Sequence, residues 1–245
     1  MTRPFLILQL RPEDEAADEE FADILNRGGL APERARRVRL DQAPVPEDLD
    51  LARFAGTIVG GGPGCVSDPP EAKSAVEARV EAAALALMPE ICDRDLPFMG
   101  CCYGLGVLTA HLGGRMGQGR YGEPVGGVDC ALTDAGRADP LLAGQPESFR
   151  ALVGHKEAVE KLPPGAVSLV TSDPCPVQMI RYKSNVYATQ FHPEATGESF
   201  VTRIRIYRNK GYFPPEEADA LAAACRKEQV SVPPEVLRRF VARYG

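Results

Sequence analysis

The chain has 245 residues, of which 44% are hydrophobic and 25% charged, and its formal net charge is −6. This composition is typical of a globular protein with a packed core, and it excludes a low-complexity or disordered chain. The acidic balance, without a basic face, argues against a nucleic-acid partner. Since no apolar stretch is long enough to span a bilayer, we also expect no membrane partner.

Cysteine and histidine usage indicates the compartment. The chain has seven cysteines, an odd number, and contains no C-x-x-C pair, a pattern that favours free thiols in a reducing, cytoplasmic location. None of the three histidines stands at metal-ligand spacing from another histidine or from a cysteine pair. The sequence therefore predicts no metal site.

The first half of the chain alternates short apolar runs with helical patterns, which is typical of βαβ units and a parallel sheet. Strands are predicted over residues 5–9, around Val38 and Leu40, and over 55–59 and 97–100. Helices are predicted over 15–27, from about 71 to 88, and from the Cys102 turn to about 112.

The second half consists of strand-like runs joined by turn signals, over residues 125–132, 149–153, 167–171, 177–182 and 186–191. The last two flank Lys183-Ser184-Asn185, which predicts a hairpin turn. About three helical segments follow residue 194, broken by the proline pairs 214–215 and 233–234. These elements predict a single α/β domain over residues 1–245, in which an open, mostly parallel sheet is flanked by helices and joined by a smaller antiparallel strand layer. Residues from about 209 to 245 form a C-terminal helical extension.

A cysteine stands at the centre of a glycine-bracketed turn, Gly100-Cys101-Cys102-Tyr103-Gly104. The pattern G-x-nucleophile-x-G between a strand and a helix is typical of a nucleophile elbow. Because the glycine spacing centres on Cys102, Cys101 is assigned to packing. At a helix N-terminus, backbone N–H groups and the dipole favour a thiolate and can hold an oxyanion. The pattern alone fits two small core cysteines in a tight turn equally well.

A histidine and a glutamate follow the last predicted strand as His192-Pro193-Glu194. Pro193 fixes the turn, so that Glu194 can reach one ring nitrogen while the other faces the cleft. This is the arrangement of a base with its orienting acid. Taken by itself, the pattern also fits a surface turn.

Together the two motifs resemble class I glutamine amidotransferases, whose signatures are a strand–G-x-C-x-G–helix turn and, further along, an F-H-P-E strand end. The glycine-rich segment 60–64 resembles the family's oxyanion loop. The segments 154–159 and 171–178 resemble the amidotransferase half of GMP synthase. The resemblance extends from about residue 5 to 208 and implies a flavodoxin-like sheet of the class I amidotransferase architecture.

The resemblance implies a cysteine hydrolase that needs no metal or organic cofactor. His192 takes the thiol proton, Cys102 attacks the γ-carbonyl of a glutamyl group, and Glu194 steadies the imidazole. Glutamate then leaves through a γ-glutamyl thioester. The oxyanion is held by the N–H of Tyr103 and by that of Gly61 or Gly62. The implied oxyanion and substrate contacts are Gly61, Gly62, Tyr103, Gly106, His155, Lys156 and Glu157.

Two positions depart from the family pattern. The glutamine usually found four residues after the nucleophile is Gly106, and the serine or asparagine before the motif histidine is Gly154. Both changes remove side chains that the family uses near the substrate. A glycine inside a helix costs about 1 kcal/mol relative to alanine, which suggests that a ligand or backbone approaches Gly106.

These features leave several interpretations open. The chain is a stand-alone γ-glutamyl hydrolase or peptidase, a glutaminase that passes ammonia to a separate synthase subunit, or a non-catalytic regulatory module with the same fold. The intact Cys102, His192 and Glu194 speak against the last. A dienelactone-hydrolase-like enzyme would place its acid long before the histidine. The C-terminal helices either cap the sheet or form a homodimer interface.

Overall fold

The structure, a computed structural model, describes residues 3–46 and 48–245. Met1, Thr2 and Glu47 of the predicted single domain lie outside the described residues. The strands of the described chain are β1 (Phe5–Gln9), β2 (Ala35–Arg39), β3 (Gly56–Val59), β4 (Phe98–Cys101), β5 (Arg115–Leu132), β6 (Ser148–Lys161), β7 (Ala166–Ser172), β8 (Met179–Tyr182) and β9 (Val186–Thr189).

The strands form one sheet in the order β2-β1-β3-β4-β9-β8-β7-β5-β6. The first five in this order are parallel, and the remaining pairings are antiparallel. The predicted α/β class is confirmed, and the antiparallel strands extend the same hydrogen-bonded sheet. The hairpin turn at Lys183 joins β8 to β9, as the sequence predicts, with Lys183 at a φ of 50°.

Helices cover both faces of the parallel part of the sheet. They are α1 (Asp14–Gly28), α2 (Ala75–Asp93), α3 (Tyr103–His111), α4 (Asp134–Arg137), α5 (Gly197–Tyr207), α6 (Ala218–Lys227) and α7 (Val232–Tyr244).

Alternate residues of β1 face two different cores, as expected for a strand buried on both sides. Phe5 and Ile7 pack with residues of α1 and α7, and Leu6 and Leu8 pack with residues of α2 and α3. The ring of Phe240 on α7 lies 6.1 Å from that of Phe5. The last helix of the predicted extension therefore caps the sheet, which is one of the two positions expected for the C-terminal helices. The alternative, a homodimer interface, stays a prediction.

Several element boundaries differ from the prediction. Strand β5 begins ten residues before the predicted position 125, β6 ends eight residues after the predicted 153, and α2 ends at Asp93 and not near 88. Helix α2 begins at residue 75 because Ser74 and Glu77 form a capping box, which satisfies free N–H groups at that point. The second proline pair does not break a helix, since it occupies the first turn of α7, where proline's missing N–H costs nothing.

The register between β4 and β9 brings the two sequence motifs to one edge of the sheet. Cys101 at the end of β4 is opposite Thr189 at the end of β9. The backbone N–H of Cys102 donates to the carbonyl of Thr189 at 2.7 Å. The turn that carries Cys102 and the segment that carries His192 thus leave neighbouring parallel strands at their carboxyl ends, where ligands bind in such sheets.

Candidate active site

Cys102 occupies a strained turn between β4 and α3, with φ of 51° and ψ of −94°. A β-carbon on Gly100 would lie 2.7 Å from the carbonyl carbon of Gly104, so the turn requires glycine at this position. Cys101 is fully buried in the core, whereas Cys102 is only partly buried. The glycine spacing therefore centred the elbow on the cysteine with the positive φ, which is the more exposed of the two.

His192 and Glu194 are in contact just beyond β9. Nδ1 of His192 lies 2.8 Å from Oε1 of Glu194, and both side chains are buried. Arg203 on α5 completes the group, with Nη2 3.0 Å from the same carboxylate oxygen and Nη1 3.1 Å from Nδ1. Since a carboxylate only accepts hydrogen bonds and a guanidinium only donates them, we assign the Nδ1 proton to the bond with Glu194. The other ring nitrogen, Nε2, is then free to accept a proton.

Burial and neighbouring charges together set the protonation of His192 and Glu194. Burial raises the pKa of Glu194, but His192 and Arg203 outweigh it, so the pKa of this carboxyl lies well below its usual range. Burial lowers the pKa of His192 below 6.5, with Glu194 opposing and Arg203 assisting. His192 is therefore a neutral base beside a charged acid at pH 7.

The pKa of the Cys102 thiol is shifted in the direction opposite to the sequence prediction. A helix N-terminus favours a thiolate, but burial raises the pKa of Cys102 to about 12, although the Arg11 charge opposes the shift. Desolvation of the sulfur outweighs the helix dipole, which acts over one turn and is worth about 1 kcal/mol. The raised pKa of the thiol and the lowered pKa of the imidazole favour a neutral pair at pH 7, so Cys102 needs a base to take its proton before it can attack.

The glycine-rich loop after β3 lies beside this pair. A β-carbon on Gly61 would come within 2.8 Å of the His192 ring and 2.7 Å of Nη2 of Arg11. The N–H of Gly61 donates to Oε2 of Glu20 at 3.2 Å, so it cannot also hold an oxyanion. Of the two predicted donors in this loop, only Gly62 keeps a free N–H among the described residues, as does Tyr103.

Two cavities open at Cys102, sharing Gly62, Cys102, Gly154 and Tyr212. The first, here called the polar cavity, is narrow, with about 10 Å³ of free space, and is otherwise lined by Gly64, Cys65, Tyr103, His155, Lys156, Glu157 and Gln190. The second, the aromatic cavity, has about 40 Å³ of free space and opens to solvent, and is otherwise lined by Arg11, Val125, His192, Phe200, Arg203, Ile204, Tyr207 and Phe213.

Glu157 takes the space that Gly106 leaves open. Its carboxylate accepts hydrogen bonds from the N–H groups of Val66 and Ser67 at 2.9 and 2.8 Å. A β-carbon on Gly106 would lie 3.0 Å from both Glu157 Oε1 and Val66 Cγ2. The expectation of a ligand or backbone at Gly106 is wrong, because side chains fill the space. The structure thus ties the loop through residues 66 and 67 to the sheet at this position.

His155 belongs to a closed hydrogen-bonded network. Its ring nitrogens lie 2.7 Å from Oε2 of Glu123 and 2.9 Å from the carbonyl of Glu157. Cys175 lies close enough for Glu123, His155 and Cys175 to resemble a ligand set, with potential ligand atoms within 4.8 Å of one another. Because both imidazole nitrogens already face oxygen atoms, His155 shapes the cavity wall and offers no free atom to a substrate or metal ion.

Lys156, by contrast, keeps its ammonium at the mouth of the polar cavity. Its Nζ lies 4.6 Å from the ring centre of Tyr212 and 3.4 Å from the carbonyl of Lys210. Gln190 contributes a buried side chain whose Nε2 lies 3.8 Å from Sγ of Cys102, and its Oε1 has no partner among the described residues.

Three charged residues of the site escape sequence reasoning. Arg11, Glu20 and Arg203 are buried, yet they stand in charged stretches that sequence alone assigns to a solvated face. No motif marks them. The one available signal is the position of Arg11, directly beyond the carboxyl end of the first buried strand.

The fold and this site define an α/β protein with a cysteine, a histidine and a glutamate grouped at the carboxyl edge of a parallel sheet, as in thiol-dependent acyl transfer. The glutamine amidotransferase class-I family matches residues 31–206. The chain therefore belongs to the class I glutamine amidotransferase family, and the resemblance found in its motifs is confirmed.

Individual relatives agree with this assignment. The glutamine-hydrolyzing GMP synthase subunit of Haloarcula marismortui is 30% identical over 155 residues, which cover 63% of this chain and 70% of that protein. The glutamine-hydrolyzing GMP synthase of Thermosipho melanesiensis is 35% identical over 111 residues, covering 45% of this chain and 21% of that protein. The crystal structure of a glutamine amidotransferase from Thermotoga maritima matches with a TM-score of 0.76 at 19% identity, covering 100% of this chain and 99% of that one.

Within the described part of the chain, no helix combines the length and the apolar character needed to cross a membrane.

Proposed function

We propose that this chain hydrolyses the side-chain amide of glutamine or of a related γ-glutamyl compound, with Cys102 as nucleophile. The observation that carries the proposal is a partly buried thiol in the same cavity as an imidazole whose Nδ1 is held by Glu194 at 2.8 Å. Among the described residues, no hydrogen bond joins Sγ to the imidazole, so the proton transfer requires the two side chains to approach each other. Cys102 and His192 line the same cavity. Such a pair can exchange a proton without a metal ion or cofactor.

The reaction follows from the protonation states. Nε2 of His192 takes the thiol proton while Sγ attacks the γ-carbonyl carbon. The N–H groups of Tyr103 and Gly62 hold the oxyanion, and such a donor is worth about 3–4 kcal/mol. His192 then protonates the departing nitrogen, leaving a γ-glutamyl thioester, and a water molecule deprotonated by the same imidazole releases glutamate.

The two cavities suggest how the substrate lies. The departing nitrogen has to be near His192, so we assign the amine side of the substrate to the aromatic cavity. The glutamyl head group then occupies the polar cavity. There Lys156 can pair with its carboxylate, and the unpartnered Oε1 of Gln190 can accept a hydrogen bond from its ammonium group.

Two physiological roles fit this chemistry. In the first, the chain supplies ammonia to a separate synthase subunit, which is favoured by the relatives named as glutamine-hydrolyzing subunits of GMP synthase. In the second, it is a stand-alone γ-glutamyl hydrolase. That role is favoured by the apolar and aromatic lining on the His192 side, because departing ammonia needs no apolar surroundings.

The test is glutamate release by the purified chain without any partner, from glutamine, γ-glutamylmethylamide and γ-glutamylisopentylamide. We expect release from at least one of them, because all elements of the reaction are present in this chain. Higher kcat/KM on the larger amides would favour the stand-alone role, and turnover of glutamine alone would favour ammonia supply. Absence of glutamate release from all three and from γ-glutamyl dipeptides would contradict the proposed function.

A further inference from the structure

Arg11 is a buried cation that the reaction above does not use. It follows β1 and is only 4% exposed. Its Nε donates to Oε2 of Glu20 at 2.7 Å, and its Nη1 donates to the hydroxyl of Tyr207 at 3.2 Å. Nη2 makes no hydrogen bond to any residue that the structure describes, and Arg11 lines the aromatic cavity.

The guanidinium is held rigidly. Glu20 is fully buried, and its carboxylate also accepts hydrogen bonds from the side chain of Gln9 at 3.1 Å and from the N–H of Gly61 at 3.2 Å. A β-carbon on Gly60 would lie 2.2 Å from this carboxylate, and one on Gly61 would lie 2.7 Å from Nη2 of Arg11. The two glycines thus make room for the ion pair beside the loop that bears Gly62.

A buried guanidinium with a free N–H₂ group is suited to an anion. Such a group can hold a carboxylate through a charge-assisted hydrogen bond. Glu20 and Tyr207 occupy the Nε and Nη1 positions, which leaves Nη2 as the donor without a partner on a residue that lines the cavity. Arg203, which is paired with Glu194, also lines this cavity. Apart from the two arginines, the glycines and the two residues assigned to the reaction, the wall is apolar or aromatic: Val125, Phe200, Ile204, Tyr207, Tyr212 and Phe213.

We propose that Arg11 binds a carboxylate carried by the departing amine, so that the preferred substrates are γ-glutamyl derivatives of apolar amino acids. This inference rests on the proposed function, because it assigns the amine to the cavity that His192 lines. The reaction is hydrolysis: the γ-amide bond breaks, water adds, and the products are glutamate and the free amino acid. The apolar side chain of that amino acid then packs against the aromatic wall.

The test uses two substrates that differ only in the carboxylate, γ-glutamylleucine and γ-glutamylisopentylamide. For the unmodified chain we expect kcat/KM to be about tenfold or more higher for γ-glutamylleucine, as one charge-assisted hydrogen bond supplies. Arg11→Lys should bring this ratio close to one, because the single ammonium is drawn to Glu20 and lacks a second donor group.

Two further variants keep the test decisive. The double substitution Arg11→Met with Glu20→Gln removes both buried charges together and keeps an acceptor for the Gly61 N–H, so it addresses the case in which Arg11→Lys does not fold. Arg205 is exposed on α5 and pairs with Glu15, so Arg205→Lys serves as the matched control and should retain the ratio. Circular dichroism establishes that each variant is folded.

Equal kcat/KM for the two substrates in the unmodified chain would overturn the inference while leaving the proposed hydrolysis intact. A ratio that persists in both Arg11 variants would also overturn it, since the preference would then arise elsewhere. Failure to release glutamate from either compound and from glutamine would instead overturn the proposed function itself.

Discussion

Replacing Cys102 with alanine is expected to lower glutamate release by about 10⁴–10⁶-fold, the loss usually found when a catalytic nucleophile is removed. The substitution deletes only the sulfur. Alanine and cysteine both carry a β-carbon, so the turn with φ of 51° is strained equally in either chain. We therefore expect an unchanged circular dichroism spectrum and a melting temperature close to that of the parent.

Cys101 provides the matched control, since it is the same residue type one position earlier. Its side chain is fully buried in the core and belongs to the cluster beneath the sheet. Cys101→Ala should cost about 1 kcal/mol of stability through the small cavity it creates and should leave most of the activity. A comparable loss of activity in both variants, or retained turnover in Cys102→Ala, would show that the elbow is centred wrongly.

Replacing Glu194 with glutamine is expected to lower kcat/KM on the order of 10²–10³-fold. Oε1 of Glu194 accepts hydrogen bonds from both His192 and Arg203, and Oε2 has no partner among the described residues. An amide oxygen in the position of Oε1 keeps both contacts. The variant therefore removes the negative charge that stabilises the imidazolium, while the Nδ1–H tautomer is preserved.

The pH dependence gives this variant a distinct signature. Burial lowers the pKa of His192 below 6.5 while the Glu194 charge raises it, so the acid limb of kcat/KM in the parent should lie below pH 6.5. Without the negative charge of Glu194, the pKa of His192 is no longer raised by a neighbouring carboxylate and falls further. The acid limb of kcat/KM therefore moves to lower pH. An acid limb that moves upward, or an unchanged rate, would contradict the role assigned to Glu194.

The sequence predicted well the features that local pattern determines. The first strand is observed over Phe5–Gln9 as predicted, because an apolar run bounded by charge allows few alternatives. The turn at Cys102 and the segment at His192 were found because glycine and proline mark backbone geometry directly. Their convergence follows from parallel strands that end at one edge of the sheet.

What escaped prediction depends on contacts between distant parts of the chain. Glu20 belongs to an acidic stretch that is typical of an exposed helix, yet it is fully buried because Arg11 neutralises it. Arg203 lies in a helix whose sequence suggests a solvated face, and only the fold brings it to Glu194. The thiolate predicted for Cys102 is opposed by the raised pKa of its thiol. The motif shows the helix N-terminus, but the burial that raises this pKa depends on packing by distant parts of the chain.

The most direct test of the account is covalent labelling by a glutamine analogue that carries a chloromethyl ketone in place of the carboxamide. We expect one adduct, located on Sγ of Cys102 by peptide fragmentation, reduced by excess substrate and absent from Cys102→Ala. Iodoacetamide should label this thiol slowly, because its pKa is raised to about 12. An adduct on Cys65 or Cys101 with Cys102 unmodified would contradict the account.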